Sequence, residues 1–189
     1  MKAEKRVRRQ SAAFLRPMLL SALFAAMTAV GAFLRIPVGY TSFTLQLFFT
    51  FTAGILLGPY WGAASQLVYV ALGLLGAPIF TEGGGLLYLA KPTCGFLLGL
   101  IPAAFVIGLL TRKKKPGIGI LCAACAAGLI TLYLIGLPYM YLALGGAWSF
   151  GKTVVSGCVI FLPFDALKIL ATALLCTRLL PILRPASKG

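Results

Sequence analysis

The sequence predicts an all-α integral membrane protein with six transmembrane helices. Of its 189 residues, 60% have apolar side chains, and only Glu4, Glu82 and Asp165 are acidic. A soluble domain of this size carries far more charge on its surface. Apolar stretches of near-spanning length recur along the chain, and in lipid a helix pairs all of its backbone groups within its own segment. Both observations favour a helical membrane domain.

The net charge of +14 could fit a nucleic-acid-binding protein, but the distribution of the basic residues argues against nucleic acid as a partner. Most of them lie in three blocks, before residue 17, at 112–115 and in the tail after residue 177. Basic residues at the ends of apolar segments are typical of membrane proteins. The chain has no histidine, and its five cysteines lie in apolar segments, so we expect neither a metal nor a cofactor.

Hydropathy and charge together predict the helices and their orientation. The candidate spans are residues 17–35, 43–58, 60–77, 92–111, 117–139 and 152–180. Gly58-Pro59 separates the second from the third. If the first two basic blocks are both cytoplasmic, an even number of membrane crossings must separate them. Dividing the chain at Gly58-Pro59 gives four crossings before residue 112, whereas one continuous helix there would give three. We therefore expect both termini in the cytoplasm.

This topology divides the chain into three parts. Residues 1–16 form a basic cytoplasmic segment, 17–180 the six-helix membrane domain, and 181–189 a cytoplasmic tail. Residues 35–43 and 78–91 are then external loops. They are interpreted as lids, although flexible connectors would have the same composition.

Asp165 and Lys168 are the principal candidates for a functional site. They lie within an otherwise apolar stretch, and their spacing places them on one helix face. An ionisable group at mid-membrane depth costs roughly 2.5 to 3.5 kcal/mol, so such groups are retained mainly for a partner, a ligand or an ion. Two readings remain open. The pair binds a substrate beside the niche that Pro163 opens, or it only neutralises itself so that the helix can insert.

Other polar residues near the external side have the same two alternatives. Gln46 and Thr44 either hydrogen-bond a ligand or link neighbouring helices. Glu82 is an external acid, and Lys91 could meet an anionic ligand at the mouth of the fourth helix, but both could be solvated. On the first helix, small residues four apart let another helix approach closely, namely Ala22 with Ala26 and Ala25 with Ala29.

From the first helix onward, a set of short motifs occurs in order along nearly the whole chain. They are the small-residue run from Ala22 to Ala32, Ile36-Pro37, Thr44-Leu45-Gln46, Gly54 to Pro59, Gly73 to Phe80, Pro92 to Gly99 and Leu162 to Lys168. In this ordered set the chain resembles the BioY family. The family usually has glycine where this chain has Lys91, and uncharged residues where it has Glu82.

The resemblance implies a six-helix subunit of an energy-coupling factor (ECF) importer in a prokaryotic cell membrane, surrounded by lipid. It would capture biotin outside the cell and work with a transmembrane coupling subunit and two cytoplasmic ATPases. The acid and lysine of the substrate site that the resemblance implies are Asp165 and Lys168. The predicted substrate-binding set also includes Gln46, Thr44, Tyr40, Glu82, Tyr88, Lys91 and Thr93. The small-residue face at Ala22, Ala25, Ala26 and Ala29 would contact the coupling subunit.

Two other functions remain as alternatives. A subunit of the same transporter class could bind another vitamin. An intramembrane enzyme is the weaker alternative, because Asp165 is the only acid within the apolar spans and no histidine can act as a base.

Overall fold

The computed structural model describes residues 2–38, 41–112 and 116–183, and most of them are helical. The longer helices are α1 (Lys2–Phe33), α2 (Gln46–Leu57), α3 (Pro59–Leu74), α4 (Cys94–Leu110), α5 (Ile118–Ala143) and α7 (Leu162–Leu183). A short helix, α6 (Phe150–Val154), precedes α7. Strands β1 (Arg35–Val38) and β2 (Thr41–Thr44) form an antiparallel hairpin between α1 and α2.

The break between α2 and α3 lies where the sequence predicted it, at Gly58-Pro59. Gly58 has a φ of 82°, a conformation that side chains disfavour, and Pro59 begins α3 at a position whose amide needs no helical partner. Gly108 of α4 packs directly against this turn, where a Cβ would collide with the backbone of Gly58. The turn and its close neighbour therefore divide the apolar stretch into two helices.

Within the part of the chain that the structure describes, length and hydropathy identify three helices that could each cross a membrane. They are Phe14–Phe33, Ile118–Ala143 and Phe150–Ile182. The apolar helices α2 and α4 are shorter, with 12 and 17 residues. Large apolar side chains remain exposed on the outer surface, for example Leu67, Leu134 and Ile182. Such a surface suits contact with lipid.

The region before α2 differs from the predicted loop at 35–43. The pairs Ile36 with Phe43 and Pro37 with Ser42 form the hairpin. The ring of Phe43 packs between Phe161 and Phe164 of the carboxyl-terminal region, with centroid distances of 4.5 and 4.2 Å. This aromatic contact holds the hairpin over the amino-terminal end of α7.

Helix α1 begins at Lys2, well before the first predicted span at residue 17. The described part of the basic segment 1–16 is therefore helical and continuous with the first span.

The last predicted helix, 152–180, is not regular. A π-helical turn at Val155–Val159 separates α6 from α7. Gly157 lies in this turn, and a Cβ there would come within 2.9 Å of Leu137. Pro163, in the first turn of α7, has no amide to donate to a continuous helix. The helical hydrogen bonding is therefore irregular shortly before Asp165, and π-turns of this kind are frequent at functional sites.

Candidate ligand-binding site

A cavity of about 120 Å³ lies among α2, α4, α5, α7 and the residues around α6. The hairpin and the α3–α4 loop, residues 75–93, contribute the rest of its wall. Its polar lining residues are Ser42, Thr44, Gln46, Thr81, Glu82, Tyr88, Thr93, Tyr133, Asp165 and Lys168, and its apolar ones are Leu47, Phe96, Leu97, Leu100, Leu132, Gly157 and Phe161. A concave site in which polar groups converge beside aliphatic and aromatic walls is typical of small-molecule binding.

Asp165 is the centre of a buried polar cluster in this cavity. Its Oδ1 accepts a hydrogen bond from Lys168 Nζ at 2.9 Å, and its Oδ2 accepts one from Tyr133 Oη at 2.5 Å. The side chains of Asp165 and Lys168 are only 5% and 13% exposed. The two opposite charges give the pair no net charge. The pair therefore offers hydrogen-bond donors and acceptors to a ligand and adds no net charge to the cavity.

The position of this cluster follows from the irregular backbone that precedes α7. The amide of Asp165 donates to the carbonyl of Phe161, which begins the regular helix beyond the π-turn. Tyr133 comes from the middle of α5, whose side chains pack against α7. Helix α7 supplies the charged pair, and α5 supplies the hydroxyl that orients its carboxylate.

A second polar group lies at the start of α2. Gln46 Nε2 donates to Tyr69 Oη at 2.7 Å, and Thr44 Oγ1 donates to Gln46 Oε1 at 3.1 Å. Tyr69 Oη in turn donates to the carbonyl of Ile79 at 3.2 Å. These bonds orient the Gln46 amide and connect the hairpin, α2 and the α3–α4 loop.

The α3–α4 loop is held by aromatic packing and by close backbone contact. Phe80 packs between Tyr69 and Tyr88, with ring centroids 5.5 and 4.7 Å away. A Cβ at Gly73 would collide with the Phe80 ring. The hydroxyls of Thr81 and Tyr88 are 3.0 Å apart. These contacts hold the loop in one defined arrangement, and the loop contributes Thr81, Glu82 and Tyr88 to the cavity wall.

A second ion pair lies at the edge of the cavity. Lys91 Nζ is 2.7 Å from Glu82 Oε2 and 4.9 Å from the centroid of the Tyr88 ring. The side chains of Lys91 and Glu82 are 37% and 48% exposed. Glu82 is itself a lining residue, whereas Lys91 contacts the lining through Glu82 and Tyr88.

Eight of the nine predicted substrate-binding residues therefore lie in or beside one cavity. Tyr40 is outside the described residues. Sequence reasoning missed Tyr133, Ser42 and Phe161, which also line the cavity. Tyr133 is a hydroxyl-bearing aromatic within an apolar helix, and that feature was the one available signal for it.

The four alanines of α1 do not share one environment. Ala22 and Ala26 are exposed, Ala29 is half-buried, and Ala25 is only 5% exposed. Ala25 packs in an internal apolar cluster with Tyr69 and Val70. Ala25 therefore contacts the protein's own core, and its part in a contact with a coupling subunit stays a prediction.

Comparison with known proteins identifies the family. The BioY family model matches residues 2–185. The chain belongs to the BioY family. A probable biotin transporter BioY of Lysinibacillus sphaericus is 42% identical over 175 residues, which are 89% of each chain. The biotin transporter BioY of Thermotoga maritima is 37% identical over 166 residues, covering 87% of this chain and 96% of the relative.

A solved structure shares the fold of this BioY family member. It is the crystal structure of the S-component for biotin from an ECF-type ABC transporter, with a TM-score of 0.79 and 25% sequence identity. The match covers 89% of this chain and 92% of the other. The helical architecture of this chain is therefore that of an S-component.

Proposed function

We propose that this chain is the biotin-binding S-component of an ECF importer, and that biotin occupies the cavity described above. The observation that carries the proposal is the Asp165–Lys168–Tyr133 cluster inside an apolar pocket. The names of the relatives and of the solved structure independently point to biotin. The chain acts as a transport subunit and not as an enzyme.

The chemistry of biotin's head group suits the buried cluster. Its cyclic urea has N–H donors and a carbonyl acceptor, and it has no charge. Asp165 accepts from a ring N–H while Lys168 donates to the urea oxygen, and both bonds gain strength from the charge of the protein group. A neutral head group keeps the pair electrically balanced, so its binding leaves no isolated charge in a low-dielectric site.

The apolar lining suits the rest of the ligand. Leu97, Leu100 and Leu132 offer aliphatic surface to the hydrocarbon part of biotin. Phe96 and Phe161 offer aromatic rings, with which a thioether sulfur makes favourable contacts. Gln46 and Thr44 add hydrogen-bond groups at the α2 side of the cavity.

The same proposal assigns a membrane topology. The chain crosses a prokaryotic cell membrane six times, with α6, the π-turn and α7 forming the last crossing, and both termini lie in the cytoplasm. The α3–α4 loop and the hairpin then face outward and act as lids. The short helices α2 and α4 are supported by the neighbours that bury them.

The exposed small residues of α1 form the contact with the transmembrane coupling subunit. Ala22 and Ala26, with the half-buried Ala29, let a partner helix approach closely. Two cytoplasmic ATPases on separate chains then drive transport. We expect Ala26→Trp to weaken co-purification with the coupling subunit while leaving biotin affinity unchanged. Leu134→Trp, on an exposed face of α5, is the matched control.

Calorimetric titration of the purified protein in nanodiscs tests the ligand. Biotin, riboflavin, thiamine and niacin are titrated in parallel against the same preparation. The proposal predicts saturable binding of biotin at one site and none of the other three. Binding of another vitamin in preference to biotin by the folded protein would reject the substrate and keep the transporter class.

A further inference from the structure

The mouth of the cavity has its own pair of charges, separate from the buried pair. Lys91 Nζ contacts both a carboxylate oxygen of Glu82, at 2.7 Å, and the carbonyl oxygen of Glu82, at 3.3 Å. It also lies over the ring of Tyr88, a buried lining residue. The backbone amide of Lys91 donates to the carbonyl of Tyr88 at 3.0 Å. The ammonium is therefore held beside the cavity by several contacts.

The charged residues that line the cavity are poorly suited to bind a ligand carboxylate. Of the described cations, Lys168 alone is a lining residue, and it is already paired with Asp165. The other charged lining residue is Glu82, which repels an anion. A ligand carboxylate near Glu82 is stabilised by a cation beside it, and Lys91 is the cation in contact with Glu82.

The two ion pairs differ in how easily a ligand can replace one partner. Both side chains of the mouth pair are more than one-third exposed, so solvent screens their attraction and the pair contributes little to stability. Its replacement by a pair with a ligand carboxylate costs little. Lys91 keeps its contacts with the Glu82 carbonyl and the Tyr88 ring while the Glu82 side chain moves into solvent.

We infer that Lys91 binds the carboxylate of the ligand, and that Glu82 is an exchangeable counter-ion which occupies Lys91 when the site is empty. This inference rests on the proposed function, since it concerns the tail of the ligand whose urea ring meets Asp165. It makes Lys91 and Glu82 determinants of specificity, and the cavity selects ligands that have a neutral head and an acidic tail.

Biotin and its neutral primary amide, biotinamide, separate this role from a structural one. Each is titrated into the wild type, Lys91→Met and Glu82→Gln. We expect Lys91→Met to weaken biotin about tenfold and biotinamide less than twofold, because the amide has no charge to pair. We expect Glu82→Gln to strengthen biotin about two- to fivefold, since it removes a competing carboxylate. Lys152→Met, at another cation that lies over an aromatic ring, should change neither ligand.

The inference is tested by comparing how each substitution changes the affinity for biotin and for biotinamide. Equal weakening of biotin and biotinamide by Lys91→Met would show that Lys91 only supports the loop, and it would overturn the inference. Weaker binding of biotin to Glu82→Gln would overturn the role of Glu82 as a competitor. If neither ligand binds the folded wild type, the proposed function itself fails. If both bind equally well to every variant, only the assignment of the tail fails.

Discussion

The two lysine–carboxylate pairs of this cavity use the same groups in opposite environments. Asp165 and Lys168 are one helical turn apart on α7, and their side chains are 5% and 13% exposed. Glu82 and Lys91 belong to the α3–α4 loop and are 48% and 37% exposed. The N–O distances are similar, 2.9 and 2.7 Å. Distance alone therefore does not distinguish what the two pairs can do.

The difference in burial shows why one pair can be fixed and the other exchangeable. Removing one member of a buried pair leaves an unpaired charge in low dielectric, which costs several kcal/mol. Tyr133 adds a second donor to Asp165, so the carboxylate is held from two sides. The exposed pair is screened by solvent and adds little stability. Substitutions at the two pairs should therefore differ in size and in ligand dependence.

Loss of the buried lysine has the largest expected effect among the predictions. Lys168→Met leaves Asp165 unpaired except for Tyr133 and removes the donor to the urea oxygen. We expect biotin affinity to fall by about 2 to 5 kcal/mol, and the thermal unfolding temperature to fall as well. Calorimetry and thermal unfolding measure the two quantities, with Lys152→Met as control. An unchanged affinity would remove Lys168 from the site.

The next largest effect on biotin binding is expected from a substitution at Gly73, over which the ring of Phe80 packs. Gly73→Ala pushes the Phe80 ring away from Tyr69 and Tyr88, and overpacking of this kind costs about 1 to 3 kcal/mol. We expect biotin to dissociate about tenfold faster in stopped-flow measurements, because the loop no longer closes over the cavity. Gly119→Ala, where a Cβ meets open space, is the control. Equal dissociation rates in both variants would refute the role of the loop.

Removal of one hydroxyl from the buried cluster tests its second donor. Tyr133→Phe keeps the ring and its packing but leaves Asp165 Oδ2 without this hydrogen bond. A hydrogen bond to a charged group contributes about 1.5 to 3 kcal/mol, and part of this should appear as weaker biotin binding, on the order of tenfold. Tyr60→Phe, at an exposed ring, is the matched control for calorimetry. Tighter binding to Tyr133→Phe would contradict the proposed orientation of the carboxylate.

The smallest effect is expected from salt. Raising the ionic strength from about 0.1 to about 1 M shortens the Debye length from about 10 to about 3 Å and screens the exposed pair far more than the buried one. We expect biotin affinity to fall about two- to threefold while biotinamide affinity stays the same. Titrations of both ligands at the two salt concentrations measure this. A matching decrease for biotinamide would place the salt effect elsewhere in the protein.

The sequence predicted those features that depend on residues close to one another in the chain. The break at Gly58-Pro59 and the pairing of Asp165 with Lys168 depend on neighbouring residues, and the structure confirms both. Tyr133 is remote from Asp165 in the chain, so its contact depends on how α5 packs against α7. No repeating pattern of apolar residues in either helix predicts the contact between Tyr133 and Asp165.

The irregular elements depend on tertiary contacts in the same way. The hairpin from Arg35 to Thr44 is held over α7 by Phe43, and the π-turn accompanies the packing of Gly157 against α5. Ala25 and Ala26 are neighbours with equal side chains, yet one is buried and the other exposed. The order of small residues predicted a close-packing face but not which of them point inward.

Titration of biotin into the wild type and Asp165→Asn, side by side in nanodiscs, tests the central claim most directly. The substitution keeps the size of the side chain and removes the charge that Lys168 and Tyr133 contact. We predict tight, saturable binding to the wild type and a loss of at least about 100-fold in the variant, with both proteins folded by thermal unfolding. Equal affinities in two folded proteins would show that biotin binds elsewhere or that the buried pair serves only membrane insertion.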